Sequence, residues 1–115
     1  MNKNLLVIDD DKDGNALLKA HYSKKGCTVS SAFTLKEGID MMNEQTPDIL
    51  FLDHNLPDGL GWGMAAKMQK TFPDMKIVLL TAFDAPPYPL TSDDEVYTKL
   101  EKPLTLDKLD AILAT

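Results

Sequence analysis

The sequence predicts an α/β domain built on a doubly wound, five-stranded parallel sheet. Short apolar runs alternate along the chain with longer segments of helical period, which is typical of strands covered by helices on both faces. With 115 residues, of which 43% are hydrophobic, the chain is long enough to bury a core of its own. We expect residues 1–115 to form this one domain, with no output domain in the chain.

The short apolar runs are the predicted strands. They are Leu5–Ile8, Thr28–Ser31, Ile49–Leu52, Ile77–Leu80 and Val96–Leu100. The last run alternates between apolar and polar residues, which is typical of an edge strand.

The segments between the strands carry the start and stop signals of helices. The first helix is predicted to follow Gly14 and to end at Gly26, because glycine favours the C-terminal end of a helix. Its candidates for inward-facing residues are Leu17, Leu18 and Ala20.

Capping and spacing predict the next two helices. The second begins at Thr34, which has the spacing of a capping box with Glu37, and it ends before Pro47. The third lies between Gly59 and Pro73. Its apolar stripe consists of Leu60, Met64 and Met68.

The segment between Thr81 and Val96 departs from this alternation. A fourth helix is expected there, but prolines remove backbone donors and exclude a regular helix. These prolines are Pro86, Pro87 and Pro89. We therefore expect the fourth helix to be shortened or missing, and a last helix to follow over Thr105–Ala114.

Composition limits the classes of function. A net charge of −6 without a basic cluster argues against nucleic acid as a direct partner. No apolar stretch approaches the roughly 20 residues needed to span a bilayer, and the first residues lack a signal-peptide pattern, so we expect a cytoplasmic protein. The one cysteine, Cys27, adjoins an apolar stretch and is expected to be a buried structural thiol.

Aspartates follow two of the predicted strands. Asp9 and Asp10 come directly after the first strand, and Asp53 follows the third. If these strands are parallel neighbours, their carboxyl ends meet at one edge of the sheet, which is where ligands bind in open α/β folds. Such a concentration of negative charge indicates a site for a cation or for phosphoryl chemistry.

With these residues, the chain resembles the receiver domains of response regulators over essentially its whole length. The motifs that carry the resemblance stand at the carboxyl ends of predicted strands. They are Val7-Ile8-Asp9-Asp10, Asp53 with Pro57 and Gly61, Thr81-Ala82, and Lys102-Pro103. The resemblance implies the flavodoxin-like strand order 2-1-3-4-5 and a cis peptide before Pro103.

The resemblance also implies a set of roles around Mg²⁺, a hard cation that prefers oxygen ligands. Asp10 and Asp53 would ligate the metal directly, Asp9 would act through water, and Asn55 would offer its backbone carbonyl. Lys102 would pair with Asp53, and with a phosphoryl oxygen after transfer.

By the same resemblance, Asp53 would accept a phosphoryl group from the phosphohistidine of a histidine kinase or a phosphotransfer protein. The Thr81 hydroxyl would then bind another phosphoryl oxygen and move its loop, so that an unidentified downstream protein meets a changed surface. Such a protein is a phosphoacceptor that assists its own phosphorylation and dephosphorylation, and not an enzyme.

Three positions depart from the family pattern or modify it. Lys99 stands where receivers usually have an aromatic residue that reports phosphorylation. Tyr97 could substitute for it, but edge-strand packing is the interpretation we favour. Phe83 follows Thr81 by two positions, and we hypothesise that it slows hydrolysis of the phosphoaspartate by excluding water.

Other interpretations of the acidic residues were weighed. A degenerate receiver that serves as a binding module keeps the fold without the chemistry. A haloacid-dehalogenase-like phosphohydrolase would use Asp9 as nucleophile and Asp11 as acid and base, but would leave Asp53 idle. An EF-hand loop starting at Asp9 is rejected, because Ala20 stands where the bidentate glutamate is needed.

Three other residues are given no functional role. We expect His54 to be a solvated loop histidine, although its position beside the acceptor would also suit a partner contact. His21 and Trp62 are expected on helix surfaces or at helix boundaries.

Overall fold

The structure, a computed structural model, describes residues 3–81 and 97–113. Within these residues the main sheet has five parallel strands in the order β2-β1-β3-β6-β7, which confirms the predicted sheet and its strand order. The strands that the described ranges contain are β1 (Asn4–Ile8), β2 (Thr28–Ala32), β3 (Ile49–Asp53), β4 (Asn55–Leu56), β5 (Gly59–Leu60), β6 (Lys76–Thr81) and β7 (Thr98–Glu101). The short strands β4 and β5 form a separate antiparallel hairpin directly after β3.

Helices cover both faces of the sheet. In the described part of the chain they are α1 (Lys12–Lys24), α2 (Leu35–Glu44), α3 (Ala65–Thr71) and α4 (Leu106–Leu113), and a 3₁₀ turn (Gly61–Met64) precedes α3. Here α4 is the predicted last helix. The prediction of a shortened or missing helix between Thr81 and Val96 falls on residues 82–96, which lie outside the described residues, as does the hypothesis on Phe83.

Helix α1 differs from the prediction at its start and in its inward face. It begins at Lys12, before Gly14, because the Asp11 side chain accepts the Asp13 N–H at 3.1 Å and caps the helix. The end near Gly26 is confirmed, and that glycine has a positive φ of 86°.

The predicted inward face of α1 was wrong at two positions. Leu17 is 37% exposed and Ala20 is also exposed, while Leu18 is buried as predicted. Asn15, Leu18 and Tyr22 are the residues of α1 that are buried, and their spacing of three and four residues places them on one side of the helix.

Helix α2 has the predicted cap at Thr34. The Thr34 hydroxyl accepts the Glu37 N–H at 3.1 Å. The carboxylate of Asp58, from the β4–β5 hairpin, accepts the N–H groups of Leu35 and Lys36 at 2.8 and 3.0 Å. These hydrogen bonds lower the pKa of Asp58 and tie the hairpin to the start of α2.

Helix α3 lies between Gly59 and Pro73 as predicted, and of its predicted stripe Met68 is buried, Met64 is partly buried against the core, and Leu60 is exposed. Leu60 lies outside the helix, in the β4–β5 hairpin, and is 59% exposed. The residues that bury this side of the 3₁₀ turn and α3 are Trp62, Ala65 and Met68, spaced at three residues. Because Leu60 belongs to the β4–β5 hairpin, it does not extend the apolar stripe of the helix.

The alternation of side chains along the strands produces two cores. Leu6, Ile8 and Leu50 face a core that includes residues of α2 and α3, and the partly buried Tyr97 packs against it. Leu5 and Phe51 face a second core with residues of α1 and α4, where the free thiol of Cys27 is buried. Among the residues described, no helix combines the length and the apolar character that crossing a membrane requires.

Candidate functional site

Parallel pairing brings the strand-end aspartates together. Ile8 of β1 pairs with Leu52 of β3, so the residues that follow, Asp9 and Asp53, emerge side by side at the carboxyl edge of the sheet. Asp9, Asp10 and Asp53 each offer a carboxylate oxygen that lies within 4.8 Å of the others. Asp9 is fully buried, Asp53 is 8% exposed, and Asp10 faces solvent.

Both carboxylate oxygens of Asp9 have partners. Oδ1 accepts the backbone N–H of Asp11 at 3.0 Å, and Oδ2 lies 3.0 Å from the ammonium of Lys102. The backbone of Asp9 is also held, because its carbonyl accepts from the side-chain amide of Asn15 at 2.9 Å. Asp9 therefore anchors the start of α1 to the centre of the site.

Lys102 reaches the aspartates from the loop between β7 and α4. Its Nζ lies 3.8 Å from Asp53 Oδ1, so it is closer to Asp9 than to the residue with which we expected it to pair. Burial alone would lower the pKa of Lys102, but the hydrogen bond with Asp9 and the charges of Asp53 and Asp9 outweigh it, and the pKa is raised. The lysine is thus held as a cation.

Thr81 and Lys102 are linked through the main chain. The Lys102 N–H donates to the Thr81 carbonyl at 2.7 Å, directly beyond the pairing of β6 with β7. Asp53 pairs with Leu80 of β6, so Thr81, the next residue of β6, lies close to Asp53 at the same edge of the sheet. The peptide between Lys102 and Pro103 is cis, as the resemblance implies.

The surroundings of Asp53 disfavour the ionised form of its carboxyl group. Burial raises its pKa to about 7, and the neighbouring charge of Asp9 acts in the same direction, while Lys102 and a hydrogen bond from the His54 backbone act against it. A divalent cation would relieve this repulsion. Three carboxylates that converge within 4.8 Å are the oxygen donors that Mg²⁺ prefers, so the residues present fit this metal.

The backbone after Asp53 is also tightly constrained. Gly61 packs so closely that a Cβ at this position would overlap the carbonyl oxygen of Asp53. Asn55 stands between them in β4, where it pairs with Leu60 of β5 and its side chain is exposed. Lys99, on strand β7, is exposed as well.

The prediction for His54 was wrong, and that for Trp62 was right only in placing it at a helix boundary, in the 3₁₀ turn before α3. His54 is buried rather than solvated, with 5% of its surface exposed, and Trp62 is buried with 2% exposed. The backbone N–H of Trp62 donates to His54 Nδ1 at 3.3 Å, and the centroids of the two rings lie 5.2 Å apart. The spacing of Trp62, Ala65 and Met68 was the signal in the sequence that could have placed the tryptophan inside.

Comparison with known families agrees with this geometry. The family model of the response regulator receiver domain matches residues 5–114. The chain belongs to this family. Receiver domains act in two-component signalling, in general as phosphoacceptors and not as enzymes.

Solved structures of receivers have the same fold. A two-component response regulator from Clostridium difficile is 29% identical, with a TM-score of 0.86 and coverage of 96% of this chain and 92% of that chain. A CheY-like response regulator receiver domain protein from Methanospirillum hungatei JF-1 is 22% identical, with a TM-score of 0.82 and coverage of 99% and 92%.

A longer protein also contains this fold. NtrX from Brucella abortus is 24% identical to the chain, with a TM-score of 0.82 over 99% of it. The chain spans only 26% of the length of NtrX. The likeness therefore concerns the receiver fold and not the remainder of that protein.

Proposed function

We propose that this receiver accepts a phosphoryl group on Asp53, with Mg²⁺ bound, from the phosphohistidine of a histidine kinase or a histidine phosphotransfer protein. The observation that carries the proposal is the position of the Asp53 carboxylate, within 4.8 Å of Asp9 and Asp10 and 3.8 Å from the Lys102 ammonium. Phosphoryl transfer depends mainly on positioning and on neutralisation of charge, and this arrangement supplies both.

The metal would be held by Asp10 and Asp53 directly, by Asp9 through water and by the carbonyl of Asn55. When bound, Mg²⁺ supplies charge neutralisation for the incoming phosphoryl oxygens. The charges of three carboxylates, the dication and Lys102 then sum to zero, which accounts for a lysine in this acidic pocket.

The residues of the chain carry the transfer itself. An Asp53 carboxylate oxygen attacks the phosphorus and forms a P–O bond, while the P–N bond of the phosphohistidine breaks and its electron pair stays on the imidazole nitrogen. Lys102 stands between Asp9 and Asp53 and would follow the new negative charge onto a phosphoryl oxygen. Thr81 would bind another phosphoryl oxygen and, through its backbone link to Lys102, couple the two loops.

Two observations disfavour a hydrolase that uses Asp9. The Asp9 side chain is fully buried, and its two oxygens are occupied by the Asp11 N–H and by Lys102. A nucleophile needs a free oxygen that faces the substrate, and Asp53 suits this role better. These observations favour a phosphoacceptor that assists its own phosphorylation and dephosphorylation over the hydrolase.

The signal would leave the site as a change of the surface that a downstream protein binds. We infer a cytoplasmic location from the family, because a receiver must meet the phosphohistidine of its donor. The degenerate binding module remains the second candidate, since exposed Lys99 stands in place of the usual aromatic reporter.

Intact-mass measurement after incubation with acetyl phosphate and Mg²⁺ tests the proposal. The wild type should gain one phosphoryl group and Asp53→Asn none. Asp74→Asn, which alters an exposed aspartate far along the chain, is the matched control and should behave like the wild type. Equal modification of the wild type and Asp53→Asn would place the acceptor elsewhere, and no modification by acetyl phosphate or by a phosphorylated kinase domain would favour the binding module.

A further inference from the structure

His54 follows the acceptor directly and is buried, yet the phosphoryl chemistry gives it no role. We propose that His54 is a positioning residue: it caps the helical turn that begins at Gly61 and so fixes the backbone around Asp53 for metal binding. This inference rests on the proposed function, because it concerns the Mg²⁺ affinity of the same site.

The 3₁₀ turn Gly61–Met64 depends on His54 for its cap. The first N–H groups of a helical turn have no acceptor within the turn, and the N-cap residue Leu60 makes no side-chain capping bond. The carbonyl oxygen of His54 accepts the Gly61 N–H at 2.7 Å, and its ring Nδ1 accepts the Trp62 N–H at 3.3 Å. A single residue therefore satisfies two successive donors.

Packing holds the imidazole in the orientation that this cap requires. The rings of His54 and Trp62 are tilted by 58° with centroids 5.2 Å apart, and both side chains are buried. Because Nδ1 accepts a hydrogen bond, the proton of the neutral ring lies on Nε2. An aliphatic side chain of similar size would fill the space but would leave the Trp62 N–H without this acceptor.

The cap is connected to the proposed ligands through the main chain. Gly61, held by the His54 carbonyl, packs against the carbonyl oxygen of Asp53. The segment Asp53–Asn55 is thus fixed by β3 on one side and by the capped turn on the other. Residues that orient metal ligands without touching the metal commonly change its affinity about 10- to 100-fold when they are altered.

Calorimetric titration with Mg²⁺ alone, on the full chain, tests this role. His54→Leu keeps a buried apolar side chain but loses the acceptor, and it should bind Mg²⁺ about 10-fold more weakly than the wild type. His54→Asn places its amide oxygen the same number of bonds from the backbone as Nδ1, and it should bind within about threefold of the wild type.

Tyr22→Phe is the matched control for a lost buried hydrogen bond. The Tyr22 hydroxyl donates to the Leu109 carbonyl at 2.8 Å in the core on the other face of the sheet. This variant should lose stability but keep the Mg²⁺ affinity of the wild type. All titrations are run well below the unfolding temperature of each variant, so that every variant is folded and the measured Mg²⁺ affinities can be compared directly.

The outcomes separate this inference from the proposed function. Wild-type affinity in His54→Leu, or equal weakening in His54→Leu and His54→Asn, would overturn the positioning role while Asp53 could still be the acceptor. Weakening in Tyr22→Phe to the same extent would overturn it as well, because any loss of stability would then suffice. A wild type that binds no Mg²⁺ would overturn both.

Discussion

Two clusters of this receiver each place an aspartate beside basic side chains, but the pKa of the aspartate is raised in one cluster and lowered in the other. In the Asp53 cluster, Lys102 lies beside Asp9 and Asp53, and the pKa of Asp53 is raised to about 7 by burial and by the charge of Asp9. In the α1–α4 cluster, Asp110 lies 2.8 Å from His21 Nε2 and 3.3 Å from Lys25 Nζ, and its pKa is lowered by these partners.

Burial and the number of carboxylates explain the difference. The Asp110 side chain is 47% exposed, so water supports its charge while two basic groups surround it. Asp53 is buried with a second carboxylate beside it and shares one lysine. The Asp53 cluster therefore opposes the ionisation of Asp53 until a cation binds. The α1–α4 cluster, in contrast, joins two helices.

The largest expected change in stability comes from replacing the lysine of each cluster. Lys102→Met leaves the fully buried Asp9 without its ion pair, and we expect the free energy of unfolding at pH 8 to fall by about 3 kcal/mol. Lys25→Met should cost far less, because that pair is exposed. Urea unfolding of both variants measures the difference, and similar losses would contradict the comparison.

Removing the carboxylates should give effects of opposite sign. Between pH 3.8 and about 7 the folded protein keeps a proton on Asp53 that the unfolded chain has lost, so this group stabilises the fold at low pH and ceases to do so as the pH rises through 7. Without metal at pH 8, Asp53→Asn should therefore raise the free energy of unfolding by about 2 kcal/mol, after allowance for solvent screening.

Asp110→Asn is the matched change in the other cluster and should lower stability instead, because the pKa of Asp110 is lowered in the folded protein. Urea unfolding of both variants and the wild type, in the presence of a chelator at pH 5 and pH 8, measures the sign of each change in stability. Destabilisation by Asp53→Asn at pH 8 would show that the surroundings of Asp53 do not disfavour its ionised form.

Mg²⁺ binding should depend on pH through the same residue. A metal ligand must be deprotonated, and with the pKa of Asp53 at about 7 the ionised fraction rises about 10-fold between pH 6 and pH 8. The Mg²⁺ affinity of the wild type measured by calorimetry should rise by that factor. An affinity independent of pH over this range would mean that Asp53 is ionised throughout.

The smallest expected effect is the response to salt. Raising the salt concentration from about 0.1 to 1 M shortens the screening length from about 10 to 3 Å, which weakens exposed pairs more than buried ones. The stability difference between the wild type and Lys25→Met should shrink with salt, while that between the wild type and Lys102→Met should persist. Thermal unfolding at the two salt concentrations provides the test, and equal sensitivity would remove the distinction between the clusters.

The fold could be predicted because its determinants are local. The apolar runs of β1, β3 and β6, the cap at Thr34 and the terminating Gly26 each specify an element within a few residues. The path after Asp53 could not be predicted, because the β4–β5 hairpin removes Leu60 from the helix and turns Trp62 inward.

The site could be predicted in outline for a similar reason. Parallel strands bring their ends to one edge, so Asp9 and Asp53 had to be neighbours once the order of the strands was known. The closer approach of Lys102 to Asp9 than to Asp53 depends on side-chain geometry across distant segments. His54 is buried against Trp62, eight positions later, whose backbone N–H donates to His54 Nδ1. No local pattern in the sequence predicts this contact.

The most direct test of the central claim locates the phosphoryl group on the unaltered protein. After reaction with acetyl phosphate and Mg²⁺, borohydride reduction converts a phosphoaspartate to homoserine, and trypsin separates the peptide Asn4–Lys12 from the peptide Glu37–Lys67. Fragment masses should place homoserine at position 53. Homoserine at position 9 or 10, or at any other aspartate, would contradict the assignment of Asp53 as the acceptor.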